Sequence, residues 1–529
     1  MSAAKGTGNG RPSPENGDPA LAAEQERARG EAAHEDANRA ERALLESQTY
    51  IRDLEAQLAR AERRLSALRG RRSVRLALAL TGKLGAVNAM VRGRSRRLAT
   101  PERRGAGRTF EGVGTRDLPG RYRETMLAAL HGQDTAGGPI RVAPFGPMDE
   151  LIDGLAARGI QSTRDDLGAD AILVMDPRLI PERLPAGPIR IGIHPAISDD
   201  FDILVGPSDD PAAAVVDALD RWLRATRVGI RTPAAHPGVA DSWGDTHFAR
   251  AFRDALRRAG WPARVRLRYT WTEPATGTDD VVVDMLGLHE TTEPLGAVRI
   301  LWQISHPELA RPDLYERYDL AFVASDPFAA RMAARVNVPV RPLHQATDPE
   351  RFQPRAGGPP HELLFVGGWR EAGRRILEDV VPTEHELAVY GRRWTAERID
   401  PRYLAGDAVA NDDLAAYYSA ASIVLNDHWA AMRREGFLSN RLYDASAAGA
   451  FVISDQAHGL DAEFDGGIVG YRDRDHLREL IDRFLARPDE RREHAERARR
   501  AVLERHTFDH RAQRFIELVE PMLATYAST

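Results

Sequence analysis

The chain has 529 residues, 43% of them apolar, which is enough for two or three domains with sizeable cores. Its formal net charge of −5 is small for that length, so no global basic field argues for nucleic acid as a partner. There is no cysteine, which excludes disulfides, thiolate metal sites and thiol nucleophiles and suits a reducing cytoplasm.

Residues 1–20 are rich in Gly, Pro, Ser and Asn and read as a disordered tail without the apolar core of a signal peptide, so the expected location is cytoplasmic. Over 21–70 the composition turns to Ala, Glu, Arg and Leu, and Leu44, Ile51, Leu54, Leu58, Ala61, Leu65 and Leu68 fit one heptad register. Two readings stand open there: a coiled coil that forms a homodimer or docks a partner, and a single solvated charged helix. Residues 71–137 read as a basic amphipathic segment and linker. From Arg63 to Pro101 there are eleven Lys or Arg and no acid, surrounding the sixteen-residue run LALALTGKLGAVNAMV. That run is too short to cross a membrane, which takes about 20 apolar residues. Leu76, Leu78, Leu80 and Leu84 suit a peripheral contact at the inner face of the membrane, and a basic linker helix is the alternative.

From 138 onward, apolar runs of strand length alternate with helices, the pattern of an α/β protein. IRVAPFG, AILVMDP, IRIGIHP and FDILVGPSD, with helices over 149–157 and 211–225, predict a Rossmann-like accessory domain at 138–225. The order recurs at 226–350 with RVGIRTPA, a helix over 246–259, DVVVDML, VRILWQISHP, YDLAFVASDP and a helix over 328–336. IRIGIHP lies on VRILWQISHP, and FDILVGPSDDPAAAVV on YDLAFVASDPFAARMA, so the first domain reads as a shortened duplicate of the second. Asp200 and Asp202 fall in the duplicated region and no Asp-x-Asp pair stands at a suitable strand end, so no metal is expected.

In the second domain Gly244 permits close backbone approach and His247 could contact a hydroxyl, although most histidines in such places cap or pack. His306 ends an apolar strand, where ligands of such sheets sit, while Pro307 beside it keeps a plain turn open. HQATDPERFQPRAGGPP then marks a change of domain, with the C-terminal one at 361–529. Its first strand runs into Gly367, Gly368 and Arg370, with Arg374 and Arg375 following. Glycines let a backbone approach a pyrophosphate, and guanidinium groups clamp its oxygens.

Further on, a strand ends at Asn426, a helix over 440–448 follows Ser439, and a second strand spans 450–454. Asn440 and Asp444 are four apart and Arg441 and Asp444 three apart, so they gather near one side of the first turns. Unsatisfied N–H groups at a helix start favour a phosphate, and a carboxylate one turn in can accept from a ribose diol. A surface pair between Arg441 and Asp444 is the plain alternative.

The run GFLSNRLYDASAAGAFVISD, with YYSAASIVLNDHW upstream, resembles the donor-binding half of GT-B glycosyltransferases, in particular the CgeB-like and group 1 enzymes. The resemblance implies an α/β GT-B fold of two facing Rossmann-like domains, with the donor held by the C-terminal one. The acceptor would enter on the side of Gly244 and His247. Donor contacts would come from Gly367, Gly368, Arg370, Arg374, Arg375, Asn426, Asn440, Arg441 and Asp444. Base contacts are implied within 409–417, with Arg392, Arg393 and Trp394 near the nucleotide, and the last helix crosses back onto the preceding domain. In retaining relatives two acids flank sugar and ribose with seven residues between them, whereas Glu435 and Asp444 here have eight between them. His306 and Glu435 are the catalytic candidates. The implied activity is metal-independent, hexosyltransferase-like transfer from a nucleotide sugar to a glycan, lipid-linked or protein acceptor, as in cell-envelope polysaccharide synthesis. No cofactor is implied beyond the nucleotide sugar as co-substrate. A catalytically silent GT-B scaffold organised by the coiled coil, and a nucleotide-sugar epimerase, remain as other readings.

Overall fold

Wholly apolar strands such as LAFV and LLFV have no polar face to offer water, so they pair in parallel and are covered by helices on both sides. The computed structural model describes residues 116–526 except 134–137, 147, 165–168, 176–188, 194–200, 235–239, 242, 272–277, 287–295 and 371. The predicted tail, the coiled coil and most of the basic segment lie outside the described residues. Among the described residues, no helix is long and apolar enough to cross a membrane.

The accessory domain comprises β1 Arg141–Phe145, β2 Gln161–Ser162, β3 Ala171–Val174, β4 Ile189–Gly192 and β5 Ile203–Leu204, all parallel in the order 2-1-3-4-5. It is covered by α1 Leu118–Leu130, α2 Asp149–Ala156 and α3 Pro211–Arg224. The middle domain repeats that order with one strand more: β6 Val228–Thr232, β7 Ala263–Leu267, β8 Val281–Leu286, β9 Val298–Gln303, β10 Leu320–Val323 and β11 Val340–Pro342, arranged 11-10-9-8-6-7. Its helices are α4 Gly244–Arg258, α5 Pro312–Tyr315 and α6 Asp326–Ala333. The helix predicted over 328–336 begins earlier, at Asp326, because the Ser325 hydroxyl caps it by accepting from the Phe328 N–H.

Two side-chain bridges recur at matching places in the two sheets. Asp170 accepts from the Arg141 N–H at 2.8 Å, as Asp280 does from Arg227 at 2.9 Å. Asp202 accepts from Arg190 at 2.9 Å, as Asp319 does from Arg299 at 2.8 Å. Asp202 is thus spent on a strand start. The amino ends of the two sheets meet in a buried ionic seam, where Arg123 and Arg227 pair with Asp280 at 2.8 and 3.0 Å, and Arg264 reaches Asp202 at 3.4 Å. The carboxyl ends of the accessory strands therefore lie on the side away from that seam.

The C-terminal sheet has the order 14-13-12-15-16-17, built from β12 Leu363–Val366, β13 Leu387–Tyr390, β14 Leu404–Gly406, β15 Ile423–Asn426, β16 Val452–Asp455 and β17 Val469–Tyr471. Strand order reverses between β12 and β15, which leaves a crevice outside their carboxyl ends. The helices are α7 Arg375–Val380, α8 Leu414–Ala420, α9 Ala430–Glu435, α10 Asn440–Ala447, α11 Leu460–Glu463, α12 Arg474–Leu485, α13 Pro488–Arg505 and α14 Phe508–Tyr526. The last of these returns to the middle domain, where Phe508 and Phe515 stack edge-on against Phe248 and Phe252 at 4.8 and 5.4 Å.

The ends of β12 and β13 touch backbone to backbone: a Cβ at Gly391 would lie 2.1 Å from the Gly367 carbonyl oxygen. Gly391→Ala is accordingly expected to destabilise the protein by about 1–3 kcal/mol, read as a lower denaturation midpoint at unchanged slope.

Candidate functional site

A cavity of about 300 Å³ opens between the middle and C-terminal sheets. The middle domain contributes Gly244 and His247 at the start of α4, with Ile304 and Ser305 beyond β9. The C-terminal domain contributes Val366, Asn411, Tyr418, Ser439, Asn440, Arg441 and Asp444, and the crossing between the two domains adds Gln345, Asp348, Arg351 and Phe352.

The C-terminal wall is the start of α10. Ser439 occupies the N-cap position without a side-chain cap bond. Asn440 instead turns its amide to Asp444, Nδ2 donating to Oδ2 at 2.8 Å, and the Thr347 hydroxyl donates to Oδ1 at 2.7 Å. Burial pushes the Asp444 carboxyl up to about 7 against those two hydrogen bonds and the Arg351 charge, which act to lower it. Arg441 does not pair with Asp444. Its Nη1 donates to Asn426 Oδ1 at 2.9 Å and its guanidinium lies over Phe365 at 5.3 Å. Asn426 is fully buried, also donates to Ser454 Oγ at 2.9 Å, and so holds Arg441 from behind the cavity wall.

On the opposite wall, His247 Nε2 donates to the Asp241 carbonyl at 3.0 Å, which makes Nδ1 the acceptor of the neutral ring. Burial lowers the His247 pKa, and Arg351 and Arg250 act in the same direction. Nδ1 has no partner among the described residues; the same holds for Asn440 Oδ1, Asn411 Oδ1 and Arg351 Nε. Four cavity residues therefore each carry a buried polar atom without a partner among the described residues.

Other candidates are used elsewhere. Glu435, read as the sugar-facing acid, does not line the cavity: it pairs with Arg331, while the Ser325 hydroxyl donates to its backbone carbonyl at 2.6 Å. The reason is packing, since Phe437 beside it is buried against Phe328 of the middle domain with rings 5.2 Å apart. Gly436 makes the turn between them in the left-handed region, φ 75°. His306 is buried just past the cavity edge in a left-handed conformation, φ 52°, with Nδ1 2.6 Å from Glu308 and its ring 5.7 Å from Trp429. Arg375 faces away, donating to the Arg472 carbonyl at 2.8 Å and lying 3.5 Å from Asp379. Gly367 and Gly368 serve the meeting of strand ends: a Cβ at Gly368 would sit 3.1 Å from the Arg392 carbonyl oxygen, and Trp394 Nε1 donates to Gly367 O at 2.9 Å. Residues 369–374 belong to a separate compact unit, within which the Arg370 guanidinium donates to Gly373 O at 2.8 Å to close a turn just before Arg374.

Outside the residues that line the cavity, His344 bridges Asp326 and Glu463 at 2.9 Å each, and the Tyr443 hydroxyl donates to Glu463 at 2.8 Å. Burial acts to lower the His344 pKa, but the two carboxylates outweigh it and bring it up to about 9. A histidine raised this way contributes stability that is fully present below about pH 6.5 and is lost as pH rises through 9. The melting temperature should fall over that interval in the wild type, and His344→Ala should flatten the fall.

Residues 370–517 match the family described as glycosyl transferase-like. That stretch runs from the turn after β12 into α14 and covers most of the C-terminal domain. Two Rossmann-like sheets facing each other across the cavity make the GT-B arrangement that the resemblance implied, with the accessory sheet ahead of it. Solved structures similar to the chain include a sucrose-phosphate synthase from Thermosynechococcus elongatus, at 15% identity and TM-score 0.43, covering 57% of this chain and 100% of that one. The glycosyltransferase AviGT4 of avilamycin A biosynthesis is 18% identical with TM-score 0.40, covering 57% and 98%. A glycosyltransferase from Rickettsia africae is 11% identical with TM-score 0.42, covering 57% and 99%. No curated protein matches the chain by sequence.

Proposed function

We propose that the chain transfers a sugar from a nucleoside-diphosphate donor to a hydroxyl of a glycan, lipid-linked or protein acceptor. The observation that carries this reading is the cavity between the facing sheets, walled on one side by the α10 start with Asp444 and on the other by His247. Its volume of about 300 Å³ suits part of a nucleotide sugar, at the lower end of ligand pockets. The donor's ribose diol hydrogen-bonds to Asp444, and its diphosphate takes the N–H groups at the start of α10. Arg351 and Arg441 supply positive charge toward the departing diphosphate as charge develops on it. His247, held neutral with Nδ1 as acceptor, takes the hydrogen bond of the acceptor hydroxyl.

A second reading, nucleotide binding without transfer, is favoured by one observation: Glu435 is occupied by Arg331. Incubation with a panel of nucleotide sugars and candidate acceptors, read by mass spectrometry, separates the two. Transfer is the expected result, and binding without any sugar-containing product would favour the second reading. An isomerised sugar formed without acceptor would mark an epimerase.

A further inference from the structure

Thr347 lies on the crossing from the middle to the C-terminal domain and is fully buried, outside the residues that line the cavity. Both its backbone groups are committed to the return crossing: its N–H donates to His506 O at 3.0 Å, and its carbonyl accepts from the Phe508 N–H at 3.0 Å. Arg511 ties the same two crossings, donating to the carbonyls of His344 at 2.8 Å, Gln345 at 2.9 Å and Arg505 at 2.9 Å. With the backbone fixed on both sides, the hydroxyl is aimed at Asp444 Oδ1, 2.7 Å away. A carboxylate has about four acceptor sites. Thr347 and Asn440 fill one on each oxygen, which leaves a site on each for the two hydroxyls of a vicinal diol.

We infer that Thr347 is a positioning residue that fixes the Asp444 carboxylate for the donor's ribose from the crossing between the domains. Donor contact and interdomain crossing then share one hydrogen bond. The ribose part rests on the reading of Asp444 given above; the link between Thr347 and Asp444 does not. The groups that face Asp444 are Asp348 and Arg351 from the crossing, Tyr418 from α8, Asn440 and Arg441 from its own helix, and Asp245 and His247 across the cavity. Burial raises the Asp444 pKa, and the Thr347 hydroxyl is the foremost influence that lowers it. Without the hydroxyl the carboxylate stays protonated to higher pH.

The first arm of the test needs no ligand. Melting temperatures of wild type and Thr347→Val are followed from pH 5 to 9, each against its own Asp444→Asn counterpart. The wild type should lose stability relative to Asp444→Asn as pH rises through about 7 and then level off. In Thr347→Val the loss should continue about one pH unit higher, and Thr347→Ser should follow the wild type. Thr347→Ala serves the same comparison if the valine variant does not fold. Levelling at the same pH in wild type and in the variants without the hydroxyl would overturn the inference.

The second arm is calorimetric titration with UDP-glucose, ADP-glucose, GDP-mannose and dTDP-glucose. For whichever binds the wild type, Thr347→Val should weaken affinity about tenfold at pH 7, recover most of it by about pH 8.5, and raise KM with little change in kcat. Unchanged affinity at pH 7 would overturn the positioning role. If none binds the wild type, the ribose reading fails, while the ligand-free arm still decides whether Thr347 sets Asp444.

Discussion

Asp444→Ala is expected to reduce nucleotide-sugar affinity about 100-fold or more, because it removes the acceptor of two charge-assisted hydrogen bonds. Asp444→Asn should lose most of that affinity too, yet be more stable than the wild type above pH 7. The sign follows from the raised pKa. The protonated carboxyl contributes stability that is fully present below 3.8 and is lost as pH rises through about 7, whereas an amide never ionises. The neighbourhood accepts the change, since Asn440 can turn its unpartnered Oδ1 toward the new amide. Titration calorimetry and melting curves at pH 8 read both effects on the same samples. An Asn variant that binds donor as the wild type does would remove Asp444 from the donor site.

Asp280→Ala should be the most destabilising change in the seam between the accessory and middle domains, at about 3–5 kcal/mol. Its carboxylate holds Arg227, whose side chain is only 1% exposed, along with Arg123 and the Arg227 N–H. Removing it strands a buried guanidinium between the rings of Trp222 and Tyr122, 5.4 and 5.5 Å away. Equilibrium denaturation measures the loss, and Asp280→Asn, which keeps one acceptor, should lose less. A change below about 1 kcal/mol would mean that the seam is solvated in solution.

Strand periods in the sequence placed most strands of the three sheets but not the edge strands β2, β7, β11 and β14, because only buried parallel strands are short apolar runs bounded by turns; β4, β5, β9 and β10 lie at the runs that align within the chain. The start of α10 was also legible, since Asn440 and Asp444 meet through helix geometry alone. The rest of the cavity was not. Thr347 and Arg351 sit in a Pro and Gly rich stretch that announces only a domain change, and Thr347 meets its partner across 97 residues. The pairing of Glu435 was illegible for the same reason, because its partner Arg331 lies 104 residues away and no local pattern encodes that pair. Arg375 was grouped with Arg370 and Arg374 by adjacency, but it opens α7 and its side chain faces Arg472.

The most direct measurement is a crystal structure of the protein with a bound nucleotide sugar. The expected density has ribose hydroxyls within hydrogen-bonding distance of Asp444 and the diphosphate against the N–H groups of Ser439 to Arg441. A nucleotide seated outside this cavity, with Asp444 still bonded only to Thr347 and Asn440, would contradict the assignment.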